Sequence, residues 1–156
     1  MSGATFEHTR PEDYLTRLAA SDLGQSYKSL VVSELDIAPG DTVLDLGCGP
    51  GADLAAFAGA VGPRGAVIGL DNDPLAVKQA HVRTNLLGTV DVRLGDIHAT
   101  SLSDNSVDRV HTDRVLQHVA DPLAVLREAR RVLRPTGRAV FAPRHPASRC
   151  RALPGA

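Results

Sequence analysis

Hydrophobic residues along the chain alternate between helical and strand spacing, and this pattern predicts the order of the elements. Apolar residues recur at helical intervals over residues 11–23, behind a capping-box spacing, and a second helix is predicted to end at about Leu35. The apolar run 43–46 follows turn residues and is typical of a buried strand. The predicted elements then continue as a helix over 52–61, a strand over 66–70, a helix from Pro74 to about Gly88, a strand over 90–94, a strand around 107–110, a helix from Pro122 through Leu133 and a last strand over 138–141.

This alternation predicts an α/β fold. Parallel neighbouring strands need crossover connections, which right-handed helices supply on both faces of a sheet. We therefore expect a Rossmann-like parallel sheet of about five strands within a single domain over residues 1–142, with the amino-terminal helices at about 11–35. Residues 143–156 contain three prolines and no strand period, so we expect an irregular tail without the terminal antiparallel strands.

Composition and charge bear on the partners. The 156 residues carry 17 Lys and Arg against 18 Asp and Glu, and this balance gives no field that would attract nucleic acid or an anionic membrane. Few aromatic rings are present for stacking exposed bases. No signal-peptide pattern or membrane span is recognisable, and two distant cysteines form no disulfide pattern. These observations predict a cytoplasmic protein with no nucleic-acid and no membrane partner.

A glycine-rich turn is the most informative motif. The sequence VLDLGCGPG, residues 43–51, leads from the predicted buried strand into a helix start. Glycine lets a ligand approach the backbone closely, and unpaired N–H groups at a helix start can receive a polar or anionic group. The same pattern can also form a tight strand-to-helix turn with no ligand.

Two acids after the next two strands strengthen the prediction of a nucleotide-like ligand. Asp71 lies about 20 residues beyond the last glycine of the turn, the distance at which α/β nucleotide-binding units place an acid at the ribose hydroxyls. Asp96 follows the third strand, where a carboxylate could accept from an adenine amino group while Ile97 covers the ring. Each acid alone could be a helix cap or a turn residue. Together with the glycine turn they predict one crevice at the carboxyl ends of three strands.

The motifs VLDLGCGPG, GLDNDP, LGDIHATSLSDNSVDRV and DRVLQHVADPLAVLREARRVLRPTGRAV resemble those of the class I S-adenosylmethionine-dependent methyltransferases, in particular the small-molecule branch. The resemblance covers about residues 12–141. It implies S-adenosylmethionine as cofactor and a small-molecule methyl acceptor. It further implies these contacts: Asp45, Gly47, Cys48, Gly49 and Gly51 in the cofactor loop, Asp71 at the ribose, Asn72 as a further cofactor contact, Asp96 and Ile97 at the adenine, and Asp113 and Arg114 near the methionine moiety.

A dinucleotide fold is the nearest alternative, because Gly47, Gly49 and Ala52 also satisfy a relaxed oxidoreductase fingerprint. Two observations speak against it: the chain has no room for a separate substrate domain, and the acids Asp45 and Asp53 beside the turn suit a cationic ligand better than a diphosphate. We therefore favour the sulfonium cofactor.

His118 is the candidate catalytic residue, because it follows the fourth strand where an acceptor would meet the methyl group. A histidine that only orients the loop is an equal alternative. The six histidines show no metal-ligand spacing, so no metal site is predicted.

The resemblance ends abruptly after the fifth predicted strand, as expected of a truncated member of the family. The leading function is methyl transfer to a small organic molecule, in secondary metabolism for example. A cofactor-binding module or pseudoenzyme, or a scaffold adapted to a non-methylating reaction, are the alternatives. Missing terminal strands would leave a sheet edge exposed, through which a homodimer could form.

Overall fold

The computed structural model describes residues 22–142 and 151–154, which contain four helices and six strands. The predicted helix at 11–23 lies outside these residues except for its last two positions. In chain order the elements are α1 (Asp22–Leu35), β1 (Thr42–Leu46), α2 (Leu54–Val61), β2 (Ala66–Asp71), α3 (Pro74–Thr84), β3 (Val90–Leu94), β4 (Val107–Asp113), α4 (Pro122–Val132), β5 (Leu133–Ala142) and β6 (Arg151–Pro154).

The six strands form one sheet in the order β3-β2-β1-β4-β5-β6. The first five are parallel and β6 is antiparallel to β5. The five parallel strands with flanking helices confirm the predicted Rossmann-like fold class. From β1 the chain first adds β2 and β3 on one side of the sheet and then adds β4 and β5 on the other, so a topological switch point lies between β1 and β4. Ligands of open α/β sheets bind in the crevice at such a point, outside the carboxyl ends of the strands.

Strand β1 lies at the centre of the sheet and is covered on both faces. Val43 joins a core cluster with residues of α1, α2 and α3, whereas its neighbour Leu44 joins a second cluster with residues of α4. This division follows from the alternation of side chains along a strand. A strand buried on both faces reads as a continuous apolar run, which is why residues 43–46 could be recognised from the sequence.

Strand β6 contradicts the prediction of an irregular tail for residues 151–154, whereas residues 143–150, 155 and 156 lie outside the described residues. Residues 151–154 pair with Arg138–Phe141 of β5 in an antiparallel ladder. Residues 151–154 show no alternation of apolar and polar residues. They form a strand because they pair with the open hydrogen-bonding edge of β5, which their own sequence does not reveal. The dimer expectation depended on that edge of β5 being exposed. Since β6 occupies it, that edge no longer supports a homodimer.

Several element boundaries also differ from the predictions. Leu133 was assigned to the last helix, but its extended backbone (φ −74°, ψ 131°) makes it the first residue of β5, and β5 begins five residues before the predicted Arg138. Helix α2 begins at Leu54 rather than Ala52, and α3 ends at Thr84, before the predicted Gly88. Asp73 caps α3 as expected, since its carboxylate accepts from the Leu75 N–H at 2.9 Å.

Candidate functional site

The glycine turn after β1 uses left-handed backbone conformations at Gly47, Gly49 and Gly51, with φ values of 74°, 52° and 77°. Such conformations cost non-glycine residues energy, so they explain the glycines of the motif. A Cβ at Gly47 would lie 2.4 Å from Val115 Cγ2, whereas a Cβ at Gly49 would meet nothing within 4 Å. Gly47 therefore permits close packing inside the protein, and Gly49 borders open space.

The amide groups of the turn are already bonded within the protein. Both Gly47 and Cys48 donate to the Leu70 carbonyl, at 2.8 and 3.0 Å, and Gly51 donates to the Cys48 carbonyl. The Gly49 N–H donates to Asp71 Oδ2 at 2.7 Å. The expectation that unpaired N–H groups of this turn receive a ligand is therefore wrong for these four residues. The turn offers backbone access, and the polar groups for a ligand come from its neighbours.

Asp71, at the end of β2, lies directly against this turn. Its two carboxylate oxygens accept one backbone bond each, from Gly49 and from Asp73. A carboxylate can accept about four hydrogen bonds, so both oxygens retain capacity for hydroxyl donors. The structure thus brings together the glycine turn and the acid that the sequence placed at the ribose. Asn72 is exposed beside it.

Asp96 follows β3, and its turn is attached to β2 because Gly95 donates to the Asp71 carbonyl at 2.9 Å. The Asp96 side chain is 65% exposed, whereas Ile97 is buried in the second core cluster. The glycine turn after β1, Asp71 at the end of β2 and Asp96 after β3 therefore lie together at the carboxyl ends of the parallel strands.

A buried acid-histidine pair lies beneath the turn, and sequence reasoning did not find it. Asp45 of β1 and His111 of β4 occupy paired positions of neighbouring strands, and Asp45 Oδ1 lies 2.8 Å from His111 Nδ1. Their side chains are 5% and 1% exposed. The His111 and Phe57 rings form a T-shaped contact with centroids 5.1 Å apart, and His111 Nε2 has no hydrogen-bond partner among the described residues.

The two groups of this pair titrate together. Burial alone would lower the pKa of His111, but the negative charge of Asp45 and its hydrogen bond outweigh burial and raise the pKa of His111. Burial raises the pKa of Asp45, and the proximity of His111 opposes that rise. The carboxylate of Asp45 is therefore compensated inside the protein and does not face the crevice as a free charge.

Asp53, the second acid that suggested a cationic ligand, also has an internal partner. Its Oδ1 lies 3.5 Å from Lys28 Nζ, which donates to the Ala52 carbonyl at 2.8 Å. Lys28 thereby connects α1 to the start of α2. The argument from two free acids beside the turn does not hold in the structure, so the preference for a sulfonium cofactor must rest on other features.

Cys48 is buried in the turn, and burial raises the pKa of its thiol well above the usual range. The thiol therefore remains protonated at neutral pH and is no nucleophile. Its packing is close, since a Cβ at Gly69 would lie 3.0 Å from Cys48 Sγ. The side chain fills the space between the turn and β2.

The segment after β4 packs against the glycine turn. Asp113 ends β4, and Arg114 has a left-handed backbone (φ 56°) while its N–H donates to the Ala142 carbonyl at 3.0 Å. Val115 packs against Gly47, and the His118 N–H donates to the Val115 carbonyl at 2.8 Å. The predicted catalytic residue His118 is exposed, and its Nε2 lies 2.9 Å from Gln117 Nε2.

The loop that follows Asp96 is anchored by a buried glutamate of α4. Glu128 Oε1 accepts from both the N–H and the hydroxyl of Thr100, each at 2.7 Å, and Arg131 donates to both Glu128 oxygens. The hydrogen bonds from Arg131 are the main cause that lowers the pKa of Glu128 to about 2. The anchor was not predicted, because its partners lie 28 residues apart.

These positions agree with a family match. A family model described as a methyltransferase domain matches residues 37–147, so the chain belongs to this methyltransferase family. A solved S-adenosylmethionine-dependent methyltransferase from Aquifex aeolicus superposes with a TM-score of 0.73 and 27% identity, covering 90% of this chain and 73% of that one. The family resemblance seen in the sequence, including its S-adenosylmethionine cofactor, is confirmed.

Two curated relatives are longer than this chain. A 37.1 kDa uncharacterised protein in transposon TN4556 of Streptomyces fradiae is 54% identical over 143 residues, which are 90% of this chain and 41% of that protein. A demethylmenaquinone methyltransferase of Staphylococcus carnosus is 30% identical over 128 residues, which are 82% of this chain and 53% of that enzyme. The chain thus spans about half or less of their lengths.

The site residues fit the family's cofactor. Open space borders Gly49, where a backbone approach is needed, and Asp71 and Asp96 stand at the ends of the neighbouring strands with acceptor capacity left. Residues 22–142 and 151–154 contain no group of three or more His, Cys, Asp or Glu side chains that could hold a metal ion. None of the described helices is long and apolar enough to cross a membrane.

Proposed function

We propose that this chain binds S-adenosylmethionine in the crevice beside β1 and β4 and takes part in methyl transfer to a small organic molecule. The convergence of the glycine turn, Asp71 and Asp96 at the ends of three neighbouring strands is the observation that carries the proposal. Family membership supports the cofactor, and the geometry suggests which residues would hold it.

Each part of the cofactor has a proposed partner. Asp71 accepts the ribose hydroxyls beside Asn72, and Asp96 accepts the adenine amino group next to Ile97. The methionine moiety lies near Asp113 and Arg114, across from the turn. Because Val115 packs against Gly47, the segment after β4 is held close to the turn and can line the same pocket.

When bound, S-adenosylmethionine would supply a methyl group attached to a positively charged sulfonium sulfur. This sulfur is a good leaving group, because it departs as a neutral thioether. The protein then has to align the acceptor with the methyl group and exclude water. His118 is the proposed general base, which removes a proton from a hydroxyl or an acidic carbon of the acceptor. Its exposure places it where an acceptor can reach it.

The small organic acceptor is supported by the Staphylococcus carnosus relative, whose name identifies it as a demethylmenaquinone methyltransferase. A cofactor-binding module is the second candidate, because the glycine turn, Asp71 and Asp96, which the structure brings together, are all assigned to the cofactor. A scaffold for a non-methylating reaction is the third. Product mass separates them, because methyl transfer adds one methyl group, a non-methylating rearrangement gives an isomer, and a binding module gives no product.

Calorimetry with S-adenosylmethionine and S-adenosylhomocysteine tests cofactor binding. The Asp71→Ala variant should bind about thirtyfold more weakly, since losing charged hydrogen bonds to the ribose costs on the order of 2 kcal/mol. Asp91→Ala is the matched control, because Asp91 is an exposed acid on β3 whose side chain pairs with Arg93. Absence of binding by the unmodified chain, or equal binding by Asp71→Ala, would contradict the proposal.

The role of His118 is tested by turnover with an identified acceptor. His118→Ala should lower turnover by about a hundredfold and leave the affinity for S-adenosylhomocysteine nearly unchanged. Gln117→Ala serves as the control for the contact between the two side chains. Unchanged turnover in His118→Ala would show that alignment alone drives transfer.

A further inference from the structure

The carboxylate of Asp96 is held at one oxygen by a single neighbouring residue. Oδ1 accepts from the His98 N–H at 2.8 Å and lies 2.6 Å from His98 Nδ1. Within residues 22–142 and 151–154, Oδ2 has no partner. Two bonds from one residue to one oxygen leave the second oxygen as the acceptor for whatever occupies the crevice.

The chemistry of the contact fixes the state of both groups. An ionised carboxylate only accepts hydrogen bonds, so His98 Nδ1 must carry the hydrogen. The backbone bond from His98 is the main cause that lowers the pKa of Asp96, followed by the ring bond. Asp96 is therefore ionised at neutral pH. The His98 side chain is 29% exposed, so the contact is partly shielded from water.

Asp96 needs such a contact because its own surroundings do little to fix it. Its side chain is 65% exposed, and an exposed aspartate otherwise samples several rotamers. Ordering a free side chain on binding weakens affinity by about two- to tenfold. A neighbour that orders the carboxylate beforehand removes most of that cost.

We propose that His98 is a positioning residue that holds Oδ1 of Asp96, so that Oδ2 is set to accept the exocyclic amino group of adenine. This inference rests on the proposed adenine contact of Asp96. It also assigns His98 a share in base specificity. A 6-oxo purine presents a carbonyl oxygen in place of the amino donor, and that oxygen repels a fixed carboxylate.

Calorimetry with two ligands tests the inference: S-adenosylhomocysteine and S-inosylhomocysteine, which differ at this amino group. His98→Ala should weaken S-adenosylhomocysteine binding by about three- to tenfold and change S-inosylhomocysteine binding little, so the ratio of the two affinities falls. His98→Asn retains a side-chain N–H donor near the position of Nδ1 and should restore most of the ratio. Asp96→Ala should reduce the ratio at least as far as His98→Ala.

The outcomes separate this inference from the proposed function. If Asp96→Ala lowers the ratio and His98→Ala does not, the positioning role is refuted and the adenine contact stands. Equal weakening of both ligands in His98→Ala would show a general structural role and would also refute it. If Asp96→Ala leaves the ratio unchanged, the adenine contact is wrong and the inference falls with it.

Discussion

Replacing Gly47 by alanine tests how closely the segment after β4 packs on the turn after β1. A Cβ there would lie 2.4 Å from Val115 Cγ2 and 3.0 Å from Cγ1, whereas carbon atoms in contact prefer about 3.5 to 4.0 Å. The left-handed backbone of Gly47 adds about 1 to 2 kcal/mol for an alanine. Overpacking against Val115 adds about 1 to 3 kcal/mol, so Gly47→Ala should lower the free energy of unfolding by about 2 to 5 kcal/mol.

Gly49→Ala is the matched control, because this residue has a similar left-handed backbone (φ 52°) and no atom within 4 Å of the added Cβ. It should lose only the backbone contribution of about 1 to 2 kcal/mol. Urea denaturation followed by circular dichroism measures both variants. The double variant Gly47→Ala with Val115→Ala should be less destabilised than the sum of the single variants, because the collision is removed.

Two results would refute this reasoning. Equal destabilisation of the two glycine variants would mean that the backbone conformation alone sets the requirement for glycine. Additive effects in the double variant would mean that Val115 does not press on Gly47. Either result would separate the segment after β4 from the turn and weaken the proposal that both line one pocket.

Four further predictions concern groups outside the turn. His111→Ala leaves the buried carboxylate of Asp45 unpaired and should cost about 3 to 5 kcal/mol in urea denaturation, with His111→Asn milder because it keeps a donor. The folded state raises the pKa of His111, so the stability that protonated His111 contributes is complete below pH ~6.5 and is lost as the pH rises through the higher folded pKa. Urea denaturation at several pH values should show this dependence in the unmodified chain and not in His111→Asn. Glu128 has a folded pKa of about 2, so its contribution is present above its ordinary value of 4.5 and is lost as the pH falls towards 2; Glu128→Gln should flatten the acid side of the stability profile. Deleting residues 151–156 exposes the edge of β5 and should produce concentration-dependent self-association in sedimentation velocity. The same sedimentation behaviour as the undeleted chain would show that β6 does not protect that edge.

The sequence predicted the parts of the fold that local pattern determines. The five parallel strands were recognisable because each is a short apolar or alternating run, and the glycine turn because left-handed backbone selects glycine. Strand β6 was missed because Arg151–Pro154 has no alternation and its pairing depends on β5. Leu133 continued the apolar spacing of α4, and only the geometry of the chain shows that it enters the sheet.

The candidate site likewise contains residues that the sequence identified and residues that it did not. Asp71 could be identified from its distance to the turn and Asp96 from its position after the third strand, because strand ends of one sheet face one crevice. The pair of Asp45 and His111 depends on the register between β1 and β4, which the sequence does not display. Knowing both that β4 lies beside β1 and the register of the two strands would have been enough to pair these positions, since side chains at matched register point to the same face.

The pairing of β1 with β4 also sets an order of events during synthesis. Asp45 and His111 are 66 residues apart, and at an elongation rate of about 5 to 20 residues per second the ribosome needs roughly 3 to 13 seconds to travel from one to the other. During that interval β1 can pair with β2 but not with its other neighbour. A nascent chain arrested before β4 therefore carries the whole glycine motif while one edge of β1 is open to chaperones or to aggregation. The glycine turn is therefore translated well before β4, the strand that completes its surroundings.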